Sequence, residues 1–100
     1  MTRARFIAPA RREFLYHVAY YEGEERGLGA RFAAAVEDAT VRALSYPLAG
    51  STAPADTRRM LLKNFPFAII YRPDDDGIVI FAVAHHARRP DYWETRVDDA

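Results

Sequence analysis

Between Arg11 and Glu22 apolar residues fall at Phe14, Leu15, Val18 and Tyr21, a spacing of three and four that lays one stripe along a helix. Pro9, just ahead, suits a first helical turn, where its missing N–H has no intrahelical partner to lose. Gly23, Gly27 and Gly29 interrupt the pattern, and a second stripe follows at Leu28, Phe32, Val36, Ala39 and Ala43. Pro47 and Gly50 end it. Two amphipathic helices with a short connection predict an antiparallel helical hairpin. Arg3 to Ala8, before it, reads as a short extended segment.

Gly50 to Asp56 is small and polar, which predicts a loop. Beyond it the period drops to two, and Arg58–Lys63, Phe65–Arg72 and Ile78–His86 read as strands. Asn64-Phe65-Pro66 and Pro73-Asp-Asp-Asp-Gly77 are the turns between them. Pairing Arg72 with Ile78 sets Ile70 against Ile80, Ala68 against Ala82 and Pro66 against Ala84. The alternate positions then pair Tyr71 with Val79, Ile69 with Phe81 and Phe67 with Val83. The second set is bulky and is expected to face the helices. The first, small at Ala68, Ala82 and Ala84, leaves a groove, whose parity His86 and Arg88 continue and which Arg59, Leu61 and Lys63 are expected to join. Pro90 ends the sheet and opens a short helical turn through Asp91, Tyr92 and Trp93. The expected fold is α+β: one domain over residues 1–100, with an N-terminal antiparallel helical hairpin packed on a small, mainly antiparallel sheet.

Composition narrows the chemistry. Half of the 100 residues are apolar and 13% are aromatic, enough for one core and too apolar for a disordered chain. The chain is too short for a dinucleotide-binding fold, so no cofactor is expected. With no cysteine, disulfides and thiolate metal sites are excluded and a reducing compartment is expected. The opening MTRARFIAPARREF has no apolar run of signal-peptide length, and the longest apolar stretch, Ile78 to Ala84, falls far short of the roughly 20 residues of a membrane helix. A cytoplasmic protein without membrane contact is the expectation. Fourteen basic and fourteen acidic residues cancel, unlike a general nucleic-acid binder. The charges are nonetheless segregated: Arg3, Arg5, Arg11 and Arg12 lie early, and His85, His86, Arg88 and Arg89 late. His85 and His86, adjacent on a strand, point to opposite faces and cannot chelate one ion, and His17 is distant, so no metal site is expected. No serine or threonine sits in a nucleophile elbow, and Gly27-Leu-Gly29 is a helix–helix turn, not a phosphate loop.

Taken together, the motifs resemble the RelE/ParE superfamily of bacterial type II toxins. The matching residues are Tyr20-Tyr21-Glu22, the Gly27-Leu-Gly29 turn, Phe32 with Val36-Glu37, Leu44 with Pro47 and Gly50, Phe65-Pro-Phe-Ala-Ile-Ile-Tyr71, and Ala82-Val-Ala-His85 followed by Arg89-Pro-Asp-Tyr92-Trp93. The resemblance spans nearly the whole chain. It implies a plasmid-stabilisation-type toxin that inhibits growth, a cognate antitoxin, and operator DNA contacted only through that antitoxin. It also implies one of two targets: DNA gyrase for ParE-like members, or ribosome-bound mRNA, which RelE-like members cut.

The residues weigh these branches differently. Metal-free RNA cleavage needs an acid–base pair and cationic charge at the phosphate, for which Lys63, Arg59, His86, Arg88 and Tyr92 are the candidates. RelE-like nucleases generally carry an arginine on the central strand, where this chain has Ala68. The ParE-like, gyrase-binding branch is therefore favoured. An mRNA-cleaving toxin, or a degenerate member that only binds its antitoxin, are the alternatives. For target binding, Arg88, Arg89, Tyr92 and Trp93 have the composition of an interface hot spot. The competing reading is that Tyr92 and Trp93 cap the open end of the core while the arginines are solvated. Phe6 and Phe14, with the second helix and the sheet edge, are the expected antitoxin surface.

Overall fold

The structure, a computed structural model, describes residues 3–98. In chain order it comprises β1 (Arg3–Phe6), α1 (Ala8–Glu24), α2 (Leu28–Ser45), β2 (Ser51–Ala53), β3 (Thr57–Leu61), β4 (Phe67–Asp74), β5 (Gly77–His85) and α3 (Glu94–Asp98). One five-stranded sheet runs β1-β5-β4-β3-β2, antiparallel except where β1 lies parallel to β5. This is the α+β layout expected. Two details are additions: the segment read as merely extended is an edge strand, and the loop after α2 contributes β2 at the opposite edge. No helix among the described residues is long and apolar enough to cross a membrane.

The helical hairpin follows from its sequence. Pro9 occupies the first turn of α1. At the other end the Glu22 carboxylate accepts hydrogen bonds from the backbone N–H groups of Gly27, at 3.0 and 3.1 Å, and Gly29, at 3.0 Å. One acid thus satisfies two of the unpaired donors that open α2, where negative charge also meets the positive end of the helix dipole. Gly29 permits the close approach of the helices, because a Cβ there would lie 2.6 Å from the Val18 carbonyl oxygen. On α2, Phe32, Val36, Ala39 and Ala43 are buried, as their spacing predicts. On α1 the expected stripe holds at Phe14, Val18 and Tyr21, which pack on the core, and extends back to the fully buried Ala10; Leu15 alone departs from it, at 52% exposed.

The helices cover one face of the sheet, where Phe67, Ile69, Tyr71, Ile78, Ile80 and Val83 meet Phe32 and Val36. The buried Tyr71 hydroxyl donates to the Pro47 carbonyl at 2.7 Å and accepts from the Gly50 N–H at 3.2 Å, pinning the chain that leaves α2 to the centre of the sheet. The opposite face carries a smaller core of Ile70, Val79, Phe81 and Ala82 beneath Trp93 and Val97.

The β4–β5 register differs from the one expected. Phe67 pairs with His85, Ala68 with Ala84 and Ile70 with Ala82, whereas Tyr71 pairs with Ile80 and Arg72 with Val79; the shift falls between Ile70 and Tyr71. Phe81 is the extra residue of this bulge, and it reverses the parity of β5. Val79 and Phe81, expected against the helices, belong to the opposite core, and Ile78 and Ile80 take their place. The hairpin turn is tight, with Asp74 opposite Gly77. Pro73 is tolerated within β4 because it lies beyond the residues that pair with β3, so no N–H is missed there.

Two glycines on the hairpin should respond oppositely to alanine. Gly23 lies in α1 with nothing within 4 Å of an added Cβ, so Gly23→Ala should stabilise by about 0.5 kcal/mol. Gly29→Ala should cost about 2 kcal/mol or more, because its clash is with backbone. Urea titration of both variants measures the signs.

Candidate functional site

The C-terminal segment crosses the sheet face away from the helical hairpin and leaves a groove of about 300 Å³. Its floor is Ala68 and Ala84, paired across β4 and β5, where the absence of long side chains creates the depression. Leu61 and Trp93 wall it, Arg59, Arg88 and Arg89 supply its charge, and His86 lies among them. The shallow parity read from the sequence therefore locates the groove even though the register is shifted, because the bulge lies beyond Ala68 and Ala84. Lys63 is the exception. It follows the end of β3 and sits beside α2, its Nζ 3.9 Å from Asp38.

Trp93 is buried at 1% exposure, so its main role is to seal the smaller core, and it meets the groove as a wall. Arg88 and Arg89 are exposed but differently engaged. Arg89 Nε pairs with Asp91 at 2.8 Å, while the Arg88 guanidinium carbon lies 3.7 Å from the centre of the Tyr92 ring. His85 faces the helix side, its ring 4.8 Å from Phe67, and its Nδ1 accepts from the Ala87 N–H at 2.9 Å.

Behind the groove lies a network not expected from the sequence. Glu13 accepts from the Val83 N–H at 3.1 Å, from the Tyr92 hydroxyl at 2.8 Å and from both terminal nitrogens of Arg96 at 2.9 Å; Arg96 also donates to the Phe81 carbonyl at 3.1 Å. Glu13 and Arg96 lie 83 residues apart, so no local spacing reveals the pair. The available signal is an acid beside Phe14 on a helix that must bury that side. Burial alone would lower the Arg96 pKa, but its bonds to Glu13 and the Glu13 charge outweigh this and hold it above its ordinary value. Burial first, then the hydrogen bond to Glu13, push the Tyr92 phenol well above its ordinary value. Tyr92 therefore keeps its proton at neutral pH and directs it to Glu13. Of the sequence-derived nuclease candidates, only Arg59, His86 and Arg88 meet in the groove.

Phe6 and Phe14 meet as a tilted pair, ring centres 6.0 Å apart, and open a second depression, of about 270 Å³, with Val36 and Val41 of α2. On the other flank of α2, Leu28, Ala34, Ala35 and Phe65, bordered by Arg31, Asp38 and Lys63, line a larger one of about 590 Å³.

Comparison with known proteins assigns this architecture. The family described as ParE toxin of type II toxin-antitoxin system, parDE, matches residues 5–90, and the chain belongs to that family. Its fold is shared with the solved structure titled "Chromosomal ParDE TA system from P. aeruginosa", at a TM-score of 0.58 and 16% identity, covering 85% of this chain and 96% of that one. No curated protein matches the sequence.

His17 gives the domain a pH dependence. Half-buried against Phe67, at 4.7 Å, it has its pKa lowered from 6.5, chiefly by burial and further by His85 and Arg88, with Glu13 opposing. Below 6.5 the unfolded chain takes up a proton that the folded chain still refuses, so stability is fully present above 6.5 and falls as the pH drops toward the folded value. His17→Gln should lose less stability than the wild type between about pH 7.5 and 5.5, measured by urea titration at each pH against the ordinary imidazole reference. Equal losses would contradict the assignment.

Proposed function

We propose that this ParE-family toxin arrests growth by binding DNA gyrase in the cytoplasm through the Ala68–Ala84 groove, without cutting RNA, and that a cognate antitoxin neutralises it on the surface around α2. The observation that carries this reading is the unequal make-up of the groove. It has an arginine rim, an apolar wall and a small-residue floor, which suit a protein interface. It lacks an assembled acid–base pair: Lys63 lies beside α2, and the Tyr92 hydroxyl is turned to Glu13. The central floor position, Ala68, offers no charge for a pentavalent phosphate. The Phe6–Phe14 depression is largely apolar, and its counterpart across α2 combines an apolar floor with Arg31, Asp38 and Lys63; both suit an antitoxin segment that folds on binding. Any operator contact would then run through the antitoxin.

Purified protein should inhibit supercoiling by gyrase, leave mRNA intact in a reconstituted translation assay, and lose its inhibition when the neighbouring antitoxin is added. Arg88→Ala should weaken inhibition more than Arg89→Ala, because Arg89 is already paired with Asp91. Loss of an interface hot-spot arginine typically costs about 2 kcal/mol, or roughly thirtyfold in affinity. Ribosome-dependent cleavage abolished by His86→Ala would instead place the chain in the mRNA-cleaving branch. Silence in both assays with antitoxin binding intact would make it a degenerate member.

A further inference from the structure

We propose that Glu13 is a positioning residue for the groove: acting through Tyr92, it holds the Arg88 guanidinium at the groove mouth, and the Tyr92 hydroxyl itself makes no bond to the target. This rests on the reading of the groove as the target surface. Three observations carry it. Arg88 is exposed and has no carboxylate partner among the described residues, yet its guanidinium carbon sits 3.7 Å from the Tyr92 ring centre. The ring is fixed at its far end by the hydroxyl, which donates to Glu13 Oε2 at 2.8 Å, and the Arg96 guanidinium, itself bonded to Glu13, lies 5.0 Å from the ring centre. Glu13 is fixed in turn by two Arg96 nitrogens and the Val83 N–H, with its side chain only 14% exposed.

The chain of contacts runs from a rigid sheet edge to an otherwise free cation. A phenol that donates to a carboxylate becomes richer in ring electrons, which strengthens its attraction for the guanidinium stacked on it. An unrestrained arginine loses much rotamer freedom on binding, and one already placed against a fixed ring loses less. Arg88 also borders a second cleft with Arg12, His17 and Arg96, so without the ring it could swing away from the groove.

Tyr92→Phe is the direct test, because it keeps the ring, its contact with Arg96 and the Glu13–Arg96 pair, and removes only the hydroxyl bond to Glu13. Nuclear magnetic resonance of the full chain reads the ring-current displacement of the Arg88 side-chain protons. Growth inhibition is read as the inducer level that gives half-maximal arrest. The expected result is a reduced displacement and an inducer requirement about fivefold higher, the factor a single hydrogen bond typically carries. In an Arg88→Ala background, Tyr92→Phe should have no further effect. Glu13→Gln should reduce the same displacement; should it not fold, Tyr92→Phe alone carries the test. An unchanged displacement, or an equal loss of toxicity with and without Arg88, would overturn the proposal. If Arg88→Ala leaves toxicity untouched, the target reading fails, and the displacement still decides whether Glu13 positions Arg88.

Discussion

The edge of β5 beyond Ile80 is the constraint around which this domain is arranged. β1 covers β5 only as far as Phe6, and the Ile7 N–H donates to Ile80 at 3.1 Å before the chain turns into α1. The Phe81 carbonyl and the Val83 N–H are left without a strand to pair with. Buried backbone groups must find partners, and here an ion pair stands in for the absent strand: Arg96 donates to one and Glu13 accepts from the other. The pair joins α1, β5 and α3 at one point. Such a pair contributes little over an apolar replacement of the same shape, but removal of one member would leave a buried charge and an orphaned backbone group together. Its placement beside the Phe81 bulge ties the local twist of β5 to the position of the C-terminal segment.

That position makes the groove. Trp93 and Val97 seal the smaller core, and the chain between β5 and α3 must then cross above Ala68 and Ala84. The cations of the segment are carried to the rim by this packing. The two sides of the sheet thereby separate two tasks. The helical face builds the larger core and offers apolar depressions around α2, while the opposite face offers charge around a shallow floor.

Much of this was legible in the sequence, and the failures have physical causes. The buried positions of α2 follow directly from spacing, because an amphipathic helix leaves a repeating stripe. The shallow floor at Ala68 and Ala84 was legible because residue size and strand parity are local properties. The register was not, because a bulge inserts one residue, Phe81, with no glycine or proline to mark it. Leu15 illustrates a milder failure: an apolar residue beside a stripe can face solvent while Phe14, Val18 and Tyr21 turn inward. Glu13 and Arg96 were illegible as a pair because their need arises from an uncovered sheet edge, a property of the fold alone. The turning of the Tyr92 hydroxyl to Glu13 follows from the same uncovered edge.

In the proposed function the target binds on the sheet face away from the helical hairpin, and amide hydrogen exchange of the toxin with and without gyrase locates that surface. Protection should concentrate in residues 84–93 and in β3, with the amides of α2 unchanged. Protection confined to α2 and the Phe6–Phe14 depression, with residues 84–93 exchanging as in the free protein, would contradict it.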